Sequence, residues 1–207
     1  NEYAMEFLQR IQANAQMMRR PFSFSYRLVD FTGRQSEDLA SIRQVQADAT
    51  VIMPYSRQCR DFLEMFVGME RLVIAVAAEL SSQVVPQVFV DDAEGVRKGV
   101  RYLHHIGHRK IAMIAPSDYC YRNGYSRIRQ DTFLEMMKQY QSEWTEQMVE
   151  RIEYTYAPIR ACITRWMERS DPPTAFFVAD GNWLAPVKAA LDRLGKRVPN
   201  DVTLLSY

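Results

Sequence analysis

Apolar positions along the chain follow two alternating patterns. Short, β-branched runs such as 72–76 and 111–115 predict buried strands, and apolar residues spaced by three and four predict amphipathic helices between such strands. Strands that alternate with helices in this way predict parallel sheets with right-handed crossovers, a doubly wound α/β fold. The predicted helices cover 3–18, 35–46, 57–67, 128–140, 158–169 and 183–194, and the predicted strands cover 22–29, 50–53, 72–76, 152–154, 174–178 and 202–206.

The most informative segment, residues 88–116, predicts a complete β-α-β unit. A strand over 88–90 leads into Asp91 and Asp92, whose side chains can cap the first amides of a helix. Gly107 can end that helix in the left-handed conformation, and a buried strand follows. The acidic turn then lies at the mouth of a parallel sheet, where ligands bind. The apolar face of the helix is formed by Val96, Val100 and Leu103.

Composition narrows the class of protein. The chain has 207 residues, 47% of them hydrophobic, which suffices for one large core or two modest ones. A formal net charge of +1 gives no basic field for nucleic acid, so any contact with DNA has to come from elsewhere. The three cysteines are far apart and lack CxxC spacing, which argues against disulfides and a thiolate zinc site and favours a reducing cytoplasm. No apolar run reaches the roughly 18 residues of a membrane span, and no signal peptide is visible.

The polar connection over 79–87 is the best internal boundary. It divides the chain into an N-terminal piece, 1–91, and a C-terminal piece, 92–207, each close to the usual size of a domain. We therefore expect two doubly wound, parallel-sheet lobes that face each other around a cleft.

Two long segments resemble one family. Residues 88–114, VFVDDAEGVRKGVRYLHHIGHRKIAMI, resemble the V-x-x-D-N-x-x-G-A, H-L and G-H pattern of LacI/GalR-type transcription regulators. Residues 172–207, beginning PPTAFFVADG, are similar to their P-T-A-x-F-x-x-N-D segment with its later V-P-e-D-V. Weaker matches at 1–3 and 49–54 extend the resemblance over most of the chain.

The resemblance implies an effector-sensing domain with the type I fold of periplasmic binding proteins. It further implies a sugar or related metabolite as effector, homodimerisation, and repression through an N-terminal helix-turn-helix that binds operator DNA. That helix-turn-helix is not present in this chain, and the family usually continues beyond the position of Tyr207, so we interpret the chain as a fragment.

The resemblance also suggests three ligand positions. Arg129 stands where the family has the arginine of R-x-x-G-F, and its guanidinium offers a planar fork to vicinal hydroxyls or a carboxylate. The alternative is a solvated helix-face arginine paired with Asp131 or a neighbour. Tyr3 either stacks on the effector or is a plain packing aromatic. Asp91 either accepts ligand hydroxyls or, like Asp92, only caps the following helix.

The sequence departs from the family at Gly181, where the family has the aspartate of N-D. Either Asp180 or Asn182 replaces that carboxylate or the contact is lost, and the alternative is a turn in which Asn182 caps the next helix. In the loop before Arg129, Tyr119 and Tyr121 are positioned to line the pocket, or else to contact a partner protein.

Enzyme and metal hypotheses find little support. His104 and His108 have the spacing of a metal-binding helix, but Gly107 interrupts it and no Glu or Cys joins them. No nucleophile elbow, P-loop or dinucleotide fingerprint occurs, so we expect no catalysis, metal or cofactor. The sequence therefore predicts the effector domain of a transcription regulator. The main alternative is a solute-binding protein of a transport system, which a secretory signal upstream would indicate.

Overall fold

The computed structural model describes residues 2–18, 23, 44, 47–52, 72–76, 86–117, 124–140, 146–153 and 155–207. The chain divides into two compact units, residues 1–46 and 47–207. In the first unit, helix α1 (Glu2–Met17) confirms the helix predicted over 3–18. An exposed ion pair between Glu6 and Arg10, 2.8 Å apart and one turn along the helix, supports it. The strand predicted over 22–29 and the helices predicted over 35–46 and 57–67 lie outside the described residues, apart from single positions.

The second unit contains two parallel sheets. The first has three strands in the order β1 (Ala49–Ile52), β2 (Leu72–Val76) and β3 (Gln87–Val88). The strand predicted over 72–76 is confirmed, and the strand predicted over 50–53 is confirmed as far as Ile52, where the described residues end. The strand predicted over 88–90 ends earlier, because the Asp92 amide donates to the Val90 carbonyl at 2.9 Å and turns the chain towards the next helix.

The second sheet is larger and also wholly parallel. Its order is β5-β4-β6-β7, so the chain enters at the inner strand β4, moves to the edge strand β5 and returns past β4 to β6 and β7. The strands are β4 (Ile111–Pro116), β5 (Val149–Ile152), β6 (Ala175–Val178) and β7 (Thr203–Ser206). The helices between them are α2 (Asp92–His105), α3 (Gly124–Gln139), α4 (Tyr156–Met167) and α5 (Leu184–Arg193).

Helices cover both faces of this second sheet. Odd-numbered residues of β4 face α2 and α3, and even-numbered ones face α4 and α5, as the alternation of side chains along a strand requires. The sheet is therefore doubly wound, as predicted. The first core includes Val96, Val100, Leu103, Met113, Phe133 and Phe177, and the second includes Ile114, Ile159, Trp166, Phe176, Val187 and Leu191.

Several predicted boundaries shift. Helix α3 begins at Gly124, four residues before the predicted start at Ile128. The first turn has no apolar residues at helical spacing, so the sequence pattern could not indicate it. The strand predicted over 152–154 is placed too late in the sequence, because β5 covers Val149–Ile152. After it, the Glu153 carbonyl accepts the Thr155 amide at 2.8 Å and the chain turns. Gly107 follows the end of α2 with φ of 103°, as predicted, and Gly195 follows the end of α5 with φ of 70°.

The predicted boundary at residue 91 falls inside the second unit, between its two sheets. In the part of the chain that the structure describes, no helix has the length and apolarity needed to cross a membrane.

Candidate functional site

The start of helix α2 and the ends of two strands meet at the carboxyl edge of the second sheet, and Arg129 of α3 contacts all three. Its Nε donates to Oδ1 of Asp92 at 2.7 Å, and its Nη1 donates to the carbonyl of Ala179 at 2.7 Å. Its Cζ also lies 3.6 Å from the centre of the Tyr207 ring. The guanidinium thereby connects the start of α2, the end of β6 and the end of β7.

The Arg129–Asp92 ion pair is largely removed from water. The two side chains are 14% and 12% exposed, so Arg129 is not the solvated helix-face residue of the alternative interpretation. Two positions away on α3, Arg127 pairs with Asp131 at 3.3 Å, with 68% and 52% exposure. A charge-assisted hydrogen bond in the drier site is stronger than one at the surface.

Tyr207 covers the guanidinium and was not predicted as a site residue. Burial, together with the charge of Asp92 and a hydrogen bond to it, raises the pKa of Tyr207 to about 12. The ring lies against α2 at Gly95, where an added Cβ would come within 2.4 Å of Tyr207 Cε2. The position of Tyr207 directly after β7 was the signal that could have revealed it, since β7 ends at the carboxyl edge, where ligands bind in open α/β sheets.

Two further carboxylates at this edge begin helical segments. An oxygen of Asp91 accepts the Glu94 amide at 2.8 Å and starts α2, which confirms the predicted capping role. Asp180 Oδ1 accepts the Asn182 amide at 3.0 Å and starts a 3₁₀ turn, Gly181–Trp183. The alternative interpretation had Asn182 capping the next helix. The structure places Asn182 inside the 3₁₀ turn, which Asp180 caps from an extended backbone, and Trp183 holds the N-cap position of α5. Contact with an effector stays a prediction for all three.

The predicted aromatic contacts fall outside the described residues. Tyr119 and Tyr121 belong to the undescribed segment 118–123, and although Tyr3 lies in α1, its side chain is not described. Their role at the pocket therefore remains a prediction.

A second polar group on α3 was not foreseen from the sequence. Gln130 is fully buried, its Nε2 donates to Ser126 Oγ at 3.2 Å, and Arg151 Nε of β5 donates to its Oε1 at 2.8 Å. Buried polar side chains of this kind need partners. Gln130 lies three positions before the buried Phe133 and seven before the buried Met137, so helical spacing was the signal that could have placed it on the buried face. That spacing could not identify Arg151, on a later strand, as its partner. The network fixes α3 against the sheet beside Arg129.

The histidines lie at the opposite, amino edge of the sheet. His108 Nδ1 is 2.8 Å from Thr174 Oγ1, just before β6, and its Nε2 is 2.9 Å from Thr203 Oγ1, the first residue of β7, so both ring nitrogens contact threonine hydroxyls. Burial lowers the pKa of His108. His104 stacks on Tyr140 with 3.8 Å between ring centres. Over the described ranges, no group of three or more His, Cys, Asp or Glu side chains is arranged to hold a metal ion.

Comparison with known families matches residues 100–207 to the periplasmic binding protein-like domain. Among curated proteins, the chain is 27% identical over 143 residues to catabolite control protein A of Priestia megaterium, covering 66% of this chain and 40% of that protein. It is 20% identical over 169 residues to the probable HTH-type transcriptional repressor ExuR of Bacillus subtilis, covering 81% and 49%. The chain thus spans less than half the length of each of these relatives.

Solved structures share the fold. A sugar-binding transcriptional regulator of the LacI family from Escherichia coli, complexed with phosphate, superposes with a TM-score of 0.78 at 17% identity, covering 98% of this chain and 71% of that one. The Escherichia coli transcriptional repressor ascG gives a TM-score of 0.78 at 16% identity, covering 99% and 73%.

Proposed function

The chain belongs to the family of periplasmic binding protein-like domains, and we propose that it is the effector-binding part of a LacI/GalR-type transcription regulator. The resemblance found in the sequence is confirmed by the family match and by the regulators among its relatives. The regulator acts in the cytoplasm as a homodimeric repressor and binds operator DNA through a domain outside this chain. A transport role is not favoured, because both curated relatives are named as regulators.

The observation that supports this proposal is the convergence of polar side chains at the carboxyl edge of the second sheet. In open α/β sheets this edge is where ligands bind, and here it presents a guanidinium and several carboxylates. These groups suit a small polyhydroxylated molecule, a sugar or related metabolite. The proposed contacts are Arg129, Asp91, Asp180 and Asn182, together with the predicted Tyr3, Tyr119 and Tyr121.

Regulation follows from differential affinity. An effector changes the population that binds the operator only to the extent that it binds one conformation better than another. We propose that residues 1–91 and 92–207 form the two lobes of this switch, which is consistent with the separation of the two sheets at residue 91.

A thermal-shift screen of sugars, nucleosides and small acids on the intact regulator tests the proposal. A ligand that binds only the folded state raises the melting temperature. We expect a hit to stabilise the wild type and the distant Asp192→Asn control, and to lose most of its effect on Asp180→Asn and Arg129→Lys. Equal stabilisation of all four proteins would place the ligand elsewhere and contradict the assigned site.

A further inference from the structure

The one described cation that joins the site is already neutralised. Arg129 lies 2.7 Å from Asp92, donates to the Ala179 carbonyl and is covered by the Tyr207 ring. A guanidinium held in this way contributes shape and hydrogen bonds, but its positive charge is largely cancelled at the distance of a ligand. An anionic ligand could attract it strongly only by separating it from Asp92, which is 12% exposed and would then be left with an unpaired charge.

The remaining charge at this edge is acidic among the described residues. Besides Asp92, the carboxylates of Asp91 and Asp180 stand at the starts of α2 and of the 3₁₀ turn. The amino end of α2 offsets only about half an elementary charge, and the 3₁₀ turn is too short to offset much more. At the far end of the edge, Arg151 binds Gln130 and is followed closely by Glu153, so that end adds little net positive charge.

The caps leave these carboxylates able to bind a ligand. A carboxylate has about four acceptor positions, and the caps at Asp91 and Asp180 each use one amide. Asp91 is exposed and Asp180 is partly exposed, so a ligand can reach both. Because an ionised carboxylate only accepts hydrogen bonds, its partner has to supply hydroxyl, amine or ammonium protons.

We infer that the effector of this site is neutral or positively charged, a polyol or amino compound, and that the site discriminates against uronates and phosphorylated metabolites. This inference rests on the proposed function and names the ligand class of the same site. A carboxylate or phosphate group brings no donor for Asp91 or Asp180 and adds a like charge beside them.

The test uses matched ligand series that differ only in charge. Isothermal titration of the intact regulator at neutral pH compares each of glucose, galactose and mannose with its 2-amino sugar and its uronic acid, and adenosine with its monophosphate. In every series that binds, we expect the neutral or amino member to bind at least about tenfold more tightly than the anion. Raising the salt concentration should narrow this difference, because salt screens exposed charges.

Two variants test whether the site itself causes the preference for neutral or amino ligands over anions. Asp180→Asn should reduce the preference against the anion several-fold, whereas Asp192→Asn, an exposed residue near the other end of α5, should leave it unchanged. A series in which the anion binds most tightly, or a preference that Asp180→Asn does not alter, would overturn the inference and leave the proposed function standing. No binding by any member of any series would instead contradict the proposed function.

Discussion

Replacing Arg129 by alanine should destabilise the protein far more than an ordinary surface substitution. The change removes two hydrogen bonds of 2.7 Å and the stacking on Tyr207, and it leaves the Asp92 carboxylate without its cation. Breaking a buried ion pair by removing one partner costs about 3–5 kcal/mol. Because the two side chains are still 14% and 12% exposed, some water can reach them, and we expect about 3 kcal/mol.

Arg127→Ala provides a matched control in the same helix. Its ion pair with Asp131 is 68% and 52% exposed, and such pairs contribute less than about 0.5 kcal/mol. Urea unfolding of the wild type and both variants, analysed with a common m-value, gives the two differences directly.

The comparison can refute the reasoning in two ways. Equal losses of stability for Arg129→Ala and Arg127→Ala would mean that the pair with Asp92 is not formed or not shielded in solution. A double-mutant cycle with Asp92→Ala should give a coupling energy of at least about 1 kcal/mol. If the losses of stability in the two single variants were simply additive, the pair would likewise not be formed in solution. A large loss would also mean that weaker effector binding by Arg129→Ala does not by itself identify a ligand contact.

Three further predictions concern the packing and the titration of the second sheet. Gly99→Ala should lower the melting temperature in calorimetry, because the new Cβ would lie 2.6 Å from Phe177 Cε2. The cost of overpacking, about 1–3 kcal/mol, exceeds the gain in helix propensity from alanine, and an unchanged or higher melting temperature would contradict this. Burial lowers the pKa of His108 below 6.5, so folding favours its neutral form. The free energy of unfolding should therefore fall as the pH drops below 6.5, and more steeply in the wild type than in His108→Gln. The same pH dependence in both proteins would refute this prediction. Tyr207 should titrate near 12 in a tyrosine-resolved NMR titration assigned with Tyr207→Phe, and ionisation near the ordinary value of 10 would show that its ring is not held against Asp92.

Local patterns were sufficient to predict most of the second sheet. The apolar face of Val96, Val100 and Leu103 predicted α2, and the fully buried run of β4 was evident as a continuous apolar segment. Such features depend on neighbours within one or two turns. The wrong bounds predicted for β5 show the limit of such local patterns. Its four residues place two polar side chains between buried Val149 and Ile152, so no continuous apolar run marks the strand.

The site was harder to predict because its contacts join residues that are distant in sequence. The resemblance singled out Arg129, but its partner Asp92 lies 37 positions away and no local rule pairs them. The role of Asp180 as a cap depended on where the 3₁₀ turn begins, a boundary that sequence patterns locate poorly. Tyr207 was missed because its role comes from packing on Gly95 rather than from any period.

Hydrogen–deuterium exchange of the intact regulator, with and without a bound effector, tests the central assignment most directly. We predict slower exchange on binding at the carboxyl edge of the second sheet, in residues 91–95 and 179–183, with little change around His108 and Thr174 at the amino edge. Protection confined to the amino edge, or absent from both carboxyl-edge segments while the effector is bound, would contradict the account.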